Sequence, residues 1–268
     1  MVTCISYGDK KYRGAAELNI ESAKAHGADN TILYGPEDIP FSFKIKHWRI
    51  YFGRTGRRLK RKGAGYWVWK PYVIKETLKD LKEGDILIYS DGASVYVNDI
   101  SEILSFFNGE KLNILPFSLR LAEKQYTKRD TFVLMNADTP EYTDTFQRLA
   151  TYVIFRKCSE TDAFVDEWLK YCLDYRIITD EKNKMGKDNY PEFVAHRNDQ
   201  SVFSLLAKKR GFKEYRDPSQ WGNNSSSWPE DIIKRSDYPQ IWYSTRDRSI
   251  TNMDQFKEKI KNPYGVVD

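Results

Sequence analysis

Residues 85–98 read DILIYSDGASVYVN, and the architecture can be worked out from this stretch. Its apolar run predicts a buried strand over residues 86–89, after which the chain breaks into Ser90, Asp91, Gly92 and Ala93. Asp and Gly both favour turns, so Asp91 can be a simple strand terminator. The alternative is an active-site carboxylate, because ligands of open α/β sheets bind beyond the carboxyl ends of the strands. The stretch by itself leaves both interpretations open.

Strands and helices alternate on both sides of this stretch. Apolar runs predict further strands at residues 2–7, 31–34, 112–116 and 150–155. Helical spacing of apolar residues, together with caps such as Asp99 and stops such as Gly27, predicts helices at 15–26, 67–81, 99–107, 161–173 and 199–208. This alternation predicts one α/β domain over residues 1–268. We expect a mostly parallel central sheet, helices on both faces and a loop-rich C-terminal tail.

The composition is that of an ordered protein with one large domain. A chain of 268 residues can bury a full core, and an aromatic content of 15% argues against disorder. The three cysteines are too few and too scattered for a disulfide framework or a zinc cluster. We see neither a signal peptide nor an apolar run of about 18 residues, so we expect a cytoplasmic protein.

Positive charge is concentrated between Lys44 and Lys62. The whole chain has 43 basic and 38 acidic residues, an excess too small to argue for a nucleic-acid binder. The segment from Lys44 to Lys62 nevertheless contains nine basic residues and no acid. Such a run suits an anionic partner, namely a nucleotide diphosphate, a phospholipid surface or RNA. The alternative is that the segment forms a solvent-exposed loop or helix face with no partner.

The most unusual string is GAGYWVWKPYVI, residues 63–74. Two Trp and two Tyr near a helix start can form an aromatic plug in the core, with Lys70 reaching out to water. The alternative is the wall of a ligand pocket, with Lys70 or the helix N-terminus near a phosphate.

Polar residues follow the predicted strands and converge on one rim of the sheet. They are Ser6, Tyr7, Gly8 and Asp9 after the first strand, Asp91 after the third, and the HRNDQ string at 196–200 before a late helix. The first loop suits a base and ribose, and a carboxylate on a glycine turn suits a divalent cation holding phosphates. The glycine fingerprints of phosphate loops and dinucleotide folds are absent, which argues against kinases, ATPases and dehydrogenases. Three histidines give no metalloprotease pattern.

Three strings in order carry a family resemblance: GYWVWKP at 65–71, GDILIYSDGA at 84–93 and HRNDQSVFSLL at 196–206. Together they resemble bacterial and viral polysaccharide glycosyltransferases with the GT-A fold, over roughly residues 2–212. The resemblance implies a nucleotide-sugar donor, often UDP-linked, and transfer to a hydroxyl of a growing cell-surface glycan. It implies a nucleotide-sugar half at residues 1–110, an acceptor half at 111–212, and a tail at 213–268 that closes the donor site.

The same resemblance implies roles for individual residues. Asp91 would be the surviving acid of an Asp-x-Asp element that binds Mn²⁺ or Mg²⁺, and Asp199 would be the acid beside the acceptor. Residues implied to hold the donor are Ser6, Tyr7, Gly8, Trp69, Lys70, Gly92 and Ala93. Residues placed on the acceptor side are Gln147, Gln200 and His196.

Two departures from the family pattern bear on the metal. Ala93 stands where a second acid of the element would be, and no histidine follows His196. The tail instead reads IWYSTRDRSI. Arg246 and Arg248 can neutralise a diphosphate directly, and Asp247 can replace the missing ligand.

Glycosyl transfer leaves negative charge on a diphosphate and requires a base for the acceptor hydroxyl if configuration is inverted. Lys70, Arg246 and Arg248 are the candidates to stabilise the leaving group, and Asp199 is the candidate base. In a retaining enzyme Asp199 would position the sugar instead, and without catalysis it is an ordinary helix N-cap. We favour inversion.

Two other functions fit parts of the chain. A sugar nucleotidyltransferase shares the architecture, although residues 6–13 suit a triphosphate poorly. The segment from Lys44 to Lys62, with Trp48, Tyr51 and Phe52, can hold single-stranded nucleic acid by stacking and charge. Our preferred expectation for that segment is peripheral contact with anionic lipid at the inner face of the membrane, beside a lipid-linked glycan acceptor and without nucleic acid.

Overall fold

A computed structural model describes residues 1–53, 62–223 and 228–261 of the chain. Five strands form the central sheet in the order β2-β1-β3-β6-β5, and two short strands, β4 and β7, pair separately. The strands are Val2–Tyr7 (β1), Asn30–Tyr34 (β2), Ile86–Ser90 (β3), Ser94–Tyr96 (β4), Ile114–Ala122 (β5), Phe146–Arg156 (β6) and Trp242–Ser244 (β7).

The helices of the described residues surround this sheet. They are Arg13–Ala25 (α1), Phe41–Lys46 (α2), Trp48–Tyr51 (α3), Gly63–Tyr66 (α4), Trp69–Asp80 (α5), Ile100–Gly109 (α6), Glu123–Tyr126 (α7), Arg129–Leu134 (α8), Pro140–Thr143 (α9), Ser159–Cys172 (α10), Tyr175–Ile178 (α11), Asp199–Lys209 (α12), Glu230–Lys234 (α13) and Met253–Lys261 (α14).

Strand β3 lies at the centre of the sheet, as its sequence requires. It pairs in parallel with β1 and antiparallel with β6, and all five of its residues are buried. A strand covered on both faces needs a continuous apolar run, which Ile86, Leu87, Ile88 and Tyr89 supply. Since β5 is antiparallel to β6, four of the five strands run in one direction. The predicted mostly parallel sheet is confirmed, with β6 as its one reversed strand.

Alternate residues of the strands feed two separate cores, one on each face of the sheet. Leu87 and Tyr89 of β3 point into the core packed by α5, α10 and α12. Ile86 and Ile88 point into the opposite core, where α6 and the tail residue Trp242 pack. This period-two alternation places helices on both faces, as predicted.

Helix α5 is preceded by a left-handed turn. All five residues from Gly63 to Trp67 have positive φ angles, including 52° at Ala64, 55° at Tyr66 and 59° at Trp67. Such angles cost about 1 kcal/mol or more for each residue other than glycine. A Cβ atom at Gly65 would lie 2.6 Å from the ring of Tyr51, so that position requires glycine for space as well. The helix predicted from residue 67 therefore begins at Trp69.

The tail is fastened to the body by the small sheet. Strand β7 pairs antiparallel with β4, with Tyr96 opposite Trp242 and Ser94 opposite Ser244. Trp242 is fully buried and stacks on Tyr152 of β6 at 4.7 Å between ring centroids. The tail is thus irregular in backbone, as predicted, and anchored in the core. No helix of the described residues is long and apolar enough to cross a membrane.

Candidate active site

A cleft of about 570 Å³ opens at the carboxyl ends of β1 and β3. These strands are parallel neighbours, so the loops that follow them meet at the same edge of the sheet. The loop after β1, the turn before α5, the turn after β3 and the tail all contribute to its lining. Of the residues predicted to hold a donor, the lining includes Tyr7, Trp69, Asp91, Gly92, Ala93, Arg246 and Arg248.

Lys70 lies between two carboxylates next to this cleft. Its Nζ is 3.1 Å from Asp91 Oδ1 and 3.1 Å from Asp199 Oδ2, and it donates to the backbone oxygen of Ala150 at 3.0 Å. Asp91 directly follows β3, Lys70 is in the first turn of α5, and Asp199 is the first residue of α12. Three elements that are distant in the sequence thus build one charged cluster, which has one ammonium for two carboxylates.

The three groups of this cluster differ in their access to the cleft. The Asp91 side chain is 37% exposed and lines the cleft, whereas the side chains of Lys70 and Asp199 are 4% and 5% exposed and do not line it. The resemblance implied that Lys70 lies beside the phosphates and Asp199 beside the acceptor. In the structure Lys70 is buried between Asp91 and Asp199, and of the three only Asp91 lines the cleft. The catalytic role of Asp199 stays a prediction.

Burial sets the protonation of the cluster. It raises the pKa of Asp199 to about 6, and the nearby Lys70 ammonium opposes that rise. Burial also lowers the pKa of Lys70, but the carboxylates of Asp199 and Asp91 outweigh burial, so the pKa lies above its ordinary value. Burial raises the pKa of Tyr89 far above its ordinary value, and its hydroxyl donates to Asp91 Oδ1 at 2.6 Å. Lys70 and Tyr89 thus both hold the same carboxylate oxygen.

Aromatic rings form another part of the lining. Tyr7 and Trp69 are stacked with their ring centroids 3.7 Å apart and their planes 13° from parallel. Trp69 Nε1 donates to the backbone oxygen of Gly63 at 2.9 Å, which fixes the indole against the left-handed turn. Tyr12 and Trp67 line the cleft beside this pair. Flat aromatic surfaces of this kind suit the stacking of a nucleobase.

The tail brings guanidinium groups to the same cleft. The backbone N–H and the hydroxyl of Thr245 both donate to the backbone oxygen of Ala93, at 3.0 Å and 2.9 Å. This contact joins the tail to the turn that carries Asp91. The neighbouring Arg246 stacks over the ring of Trp221 at 4.7 Å, and Arg248 also lines the cleft. Two guanidinium groups are well suited to a diphosphate.

Comparison with known proteins identifies the architecture. Neither a protein-family model nor a curated protein matches the chain. Among solved structures, the chain is similar to the apo structure of the bifunctional glycosyltransferase WbbM, with a TM-score of 0.51, 11% sequence identity and 97% of this chain covered. The chain shares the fold of a glycosyltransferase. The predicted GT-A-like architecture is thereby confirmed.

This glycosyltransferase fold spans 50% of the length of WbbM, which is a longer protein. The apo form of mouse xyloside xylosyltransferase 1 is also similar, with 11% identity, a TM-score of 0.46, 94% of this chain covered and all of that chain covered. At such identities the likeness concerns the fold, and the chemistry must be argued from the cleft itself.

Sequence reasoning missed several charged residues of the cleft, notably Lys11, Arg197 and Asp217. Asp217 is 2% exposed, its Oδ1 accepts the backbone N–H of Ser219 at 2.8 Å, and burial raises its pKa. Arg197 belongs to the HRNDQ string, and Lys11 lies in the first loop, so both had a positional signal. Asp217 is a single acid in an irregular tail, with no periodicity to identify it.

The residues predicted on the acceptor side do not line the cleft. Gln147 is fully buried, where its amide nitrogen contacts Glu123 Oε1 at 3.1 Å and its amide oxygen accepts from Gln200 at 2.9 Å. The Nε2 of His196 donates to the oxygen of Ile177 at 2.8 Å, and its Nδ1 accepts from the N–H of Lys128 at 3.3 Å. Burial lowers the pKa of His196 to about 3, so the ring is neutral. These contacts give Gln147 and His196 structural roles, and contact of Gln147, Gln200 and His196 with an acceptor stays a prediction.

Two residues of the predicted donor loop are also internal. Ser6 is fully buried, and its hydroxyl donates to the backbone oxygen of Ser90 at 2.8 Å. Gly8 and Gly92 both lie against α1, since an added Cβ would be 2.9 Å and 2.8 Å, respectively, from the Cβ of Ala16. Ser6 and Gly8 thus shape the loop without lining the cleft, whereas Gly92 does line it.

The side chains at the cleft supply only some of the ligands that a divalent cation needs. Among the described residues, no group of three or more His, Cys, Asp or Glu side chains could hold a metal ion. The carboxylate of Asp247 accepts from the backbone and hydroxyl of Ser249, and it does not line the cleft. Asp91 is the remaining candidate ligand for the cation. Its contacts with Tyr89 and Lys70 both involve Oδ1. Mg²⁺ is commonly bound by one or two carboxylates together with substrate phosphates and water, and Asp91 Oδ2 meets that requirement. The Mn²⁺ or Mg²⁺ site stays a prediction.

Proposed function

We propose that this protein transfers a sugar from a nucleotide-sugar donor, UDP-linked, to a hydroxyl of a glycan acceptor in cell-surface polysaccharide synthesis. The observation that carries the proposal is the cluster of Lys70, Asp91 and Asp199 at the strand ends of a glycosyltransferase fold. A buried ammonium between two carboxylates is costly to build, and here it presents one of them, Asp91, to the cleft. If Asp91 only ended the strand, it would need neither Lys70 nor Asp199 beside it.

The lining of the cleft matches the parts of such a donor. Tyr12, which is 41% exposed, and the half-buried Trp67 offer an aromatic surface for the base beside the buried pair of Tyr7 and Trp69. Arg246 and Arg248 offer positive charge for the diphosphate, whose leaving-group charge grows as the bond to the sugar breaks. A divalent cation at Asp91 would supply further positive charge to the same leaving group when bound.

We place the proton acceptor at Asp217, with inversion of configuration. The acceptor hydroxyl forms the new bond to the anomeric carbon, the bond to the diphosphate breaks, and the hydroxyl proton passes to a carboxylate. Asp199 is paired with the buried Lys70 and does not line the cleft, whereas Asp217 lines it. The raised pKa of Asp217 makes it a stronger base than an exposed aspartate.

Calorimetry with UDP, GDP, CMP and dTDP tests the proposal, each with Mn²⁺, with Mg²⁺ and with a chelator. We expect one nucleoside diphosphate to bind, and we expect Asp91→Asn to abolish donor turnover while remaining folded. The matched control is Asp166→Asn, whose carboxylate is 56% exposed on α10 and pairs with Lys75. Full turnover by Asp91→Asn would refute the proposal.

The remaining outcomes separate the alternatives. Binding that a chelator does not weaken would assign the diphosphate to Arg246 and Arg248 without a metal. Release of pyrophosphate from a nucleoside triphosphate and a sugar phosphate would replace the proposal with a nucleotidyltransferase. The anomeric configuration of the product, read by NMR, decides between inversion and retention, and Asp217→Asn should lower the turnover number about 100-fold or more if it is the base.

A further inference from the structure

Helices α2 and α3 expose a row of large apolar side chains. Phe41 is 70% exposed, Ile45 50%, Trp48 60% and Phe52 36%. Eleven large apolar residues are exposed among the described ones, and four of them lie within these twelve positions. Single exposed apolar residues are normal on a protein surface, but a contiguous set marks a contact site. We call these four residues the apolar row.

The spacing of the apolar row is helical. Its members follow one another at intervals of four, three and four residues, which is the spacing of one helix face. The backbone of His47 continues the turn between the two helices, since its N–H donates to the oxygen of Phe43 and its carbonyl accepts from Ile50. The row therefore spans both helices, across a break at His47 where φ of −111° and ψ of 38° are not helical.

The opposite side of this segment is fixed to the body. Ile50 is 4% exposed, and the ring of Phe43 packs on Tyr72 at 4.6 Å between centroids. Arg49 stacks over Tyr175 at 3.6 Å and pairs with Glu181 at 3.0 Å. The inner side is thus packed, whereas Phe41, Ile45 and Trp48 of the apolar row are at least half exposed.

Basic side chains accompany the apolar row. Residues 39–53 contain Lys44, Lys46 and Arg49 and no acid, and Lys46 is exposed. Of the adjoining acids, Glu181 is paired with Arg49, Glu37 with Arg13, and Asp38 accepts from the backbone N–H of Gly35. Residues 54–61 continue the basic run in sequence but lie outside the described residues. Apolar residues with Trp beside an exposed lysine form the pattern of helices that lie in the interface of anionic membranes.

We propose that α2 and α3 dock this protein on an anionic membrane surface, with the apolar row among the lipid headgroups and Lys46 against their phosphates. The segment lies next to the cleft, because Tyr51 packs on Gly65 in the turn whose Gly63 and Ala64 line it. Docking would therefore place the mouth of the cleft beside the bilayer, where a lipid-carried substrate is within reach.

Flotation of the full chain with vesicles tests the docking. One set of vesicles is phosphatidylcholine alone, and the other is phosphatidylcholine mixed with phosphatidylglycerol. We expect binding to the mixed vesicles only, weakened by added salt. Trp48→Ser and Phe41→Ser should each lower the binding constant about ten-fold, and Lys46→Glu about five-fold or more.

Matched variants control for general effects on the surface. Val194→Ser removes a side chain that is 64% exposed outside the row, and Lys24→Glu reverses an exposed charge on α1. Both should bind vesicles like the wild type, and thermal unfolding should show all five variants folded, because each altered side chain is at least half exposed or lies on an exposed position.

Three results would overturn the proposal. They are no binding to the mixed vesicles, equal loss in the control variants, or self-association of the protein that Trp48→Ser abolishes, which would assign the row to a second copy of the chain. The assay uses no sugar donor, so its failure would leave the proposed glycosyl transfer untouched, and failure of transfer would leave docking untouched.

Discussion

Replacing Lys70 with methionine tests whether one ammonium holds the charge balance beneath the cleft. The replacement keeps most of the volume and removes the contacts of 3.1 Å to Asp91 and to Asp199. Asp91 is partly exposed and can be hydrated, but Asp199 is left buried without its counterion. Removing one partner of a buried ion pair costs about 3–5 kcal/mol of unfolding free energy, and we expect a loss of that size at neutral pH.

The loss should depend on pH in a defined direction. In the wild type the pKa of Asp199 is raised to about 6 from an ordinary value of about 3.9. The contribution of Asp199 to stability is thus full below about pH 4 and is lost as the pH rises to about 6. Without Lys70 its pKa rises further, so the folded variant still holds the proton above pH 6. The gap between wild type and variant should then widen by about 1.4 kcal/mol for each pH unit from 6 up to the pKa of Asp199 in the folded variant, and stay constant above it.

Urea unfolding followed over this pH range measures the gap. Lys75→Met is the matched control, because Lys75 lies on the same helix and its pair with Asp166 is exposed, so its removal should cost less than about 1 kcal/mol at every pH. The double variant Lys70→Met with Asp199→Asn should recover stability at high pH. A gap that does not change with pH, or a double variant no more stable than Lys70→Met, would refute the reasoning.

Two further outcomes follow from the geometry of the cleft. Gly92→Ala should lower the unfolding free energy by about 1–3 kcal/mol, since the new Cβ would lie 2.8 Å from the Cβ of Ala16. Gly109→Ala, where a Cβ meets nothing within 4 Å, should not be destabilising in the same thermal unfolding series, and equal losses would contradict the packing argument. Arg246→Ala should weaken the binding of UDP about ten- to a hundred-fold in calorimetry. Arg210→Ala, which removes an exposed pair with Glu167, should leave that binding constant unchanged.

The position of Asp91 was predictable from the pattern of burial. A short apolar run that ends in a turn is typical of a covered strand, and the carboxyl end of a covered parallel strand lies at the binding edge of the sheet. The structure confirms both steps, since Ile86–Ser90 is buried and Asp91 lines the cleft. The helix that begins with Asp199 was predictable for the same reason, from its apolar spacing.

The direction of Lys70 was not predictable, because it depends on groups that are remote in sequence. Both interpretations of Lys70, towards water or towards a phosphate, assumed that an ammonium must leave the core. The fold supplies acceptors to the buried ammonium instead, namely the partly exposed Asp91, the buried Asp199 and the backbone oxygen of Ala150. A single sequence does not show which carboxylates will meet a lysine.

The lengths of β5 and β6 were underestimated because polar residues interrupt their apolar runs. The predicted strands covered residues 112–116 and 150–155, whereas the structure has Ile114–Ala122 and Phe146–Arg156. Arg148 of β6 is tolerated inside the sheet because it pairs with Glu214 at 2.6 Å, and Gln147 is tolerated because Glu123 accepts from it. Nor does an apolar run encode strand direction, so the reversal of β6 was invisible in the sequence.

The pairing of β7 with β4 determines when the cleft can form during synthesis of the chain. Domains generally gain structure from the N-terminus as the chain emerges, and all five strands of the central sheet have been made by residue 156. The wall formed by Asp217, Trp221, Arg246 and Arg248 comes later, and β7 must pair with a strand made nearly 150 residues before it. A nascent chain thus has its sheet well before it has a cleft. Every ribosome stall or early termination between these points yields a body with half a binding site.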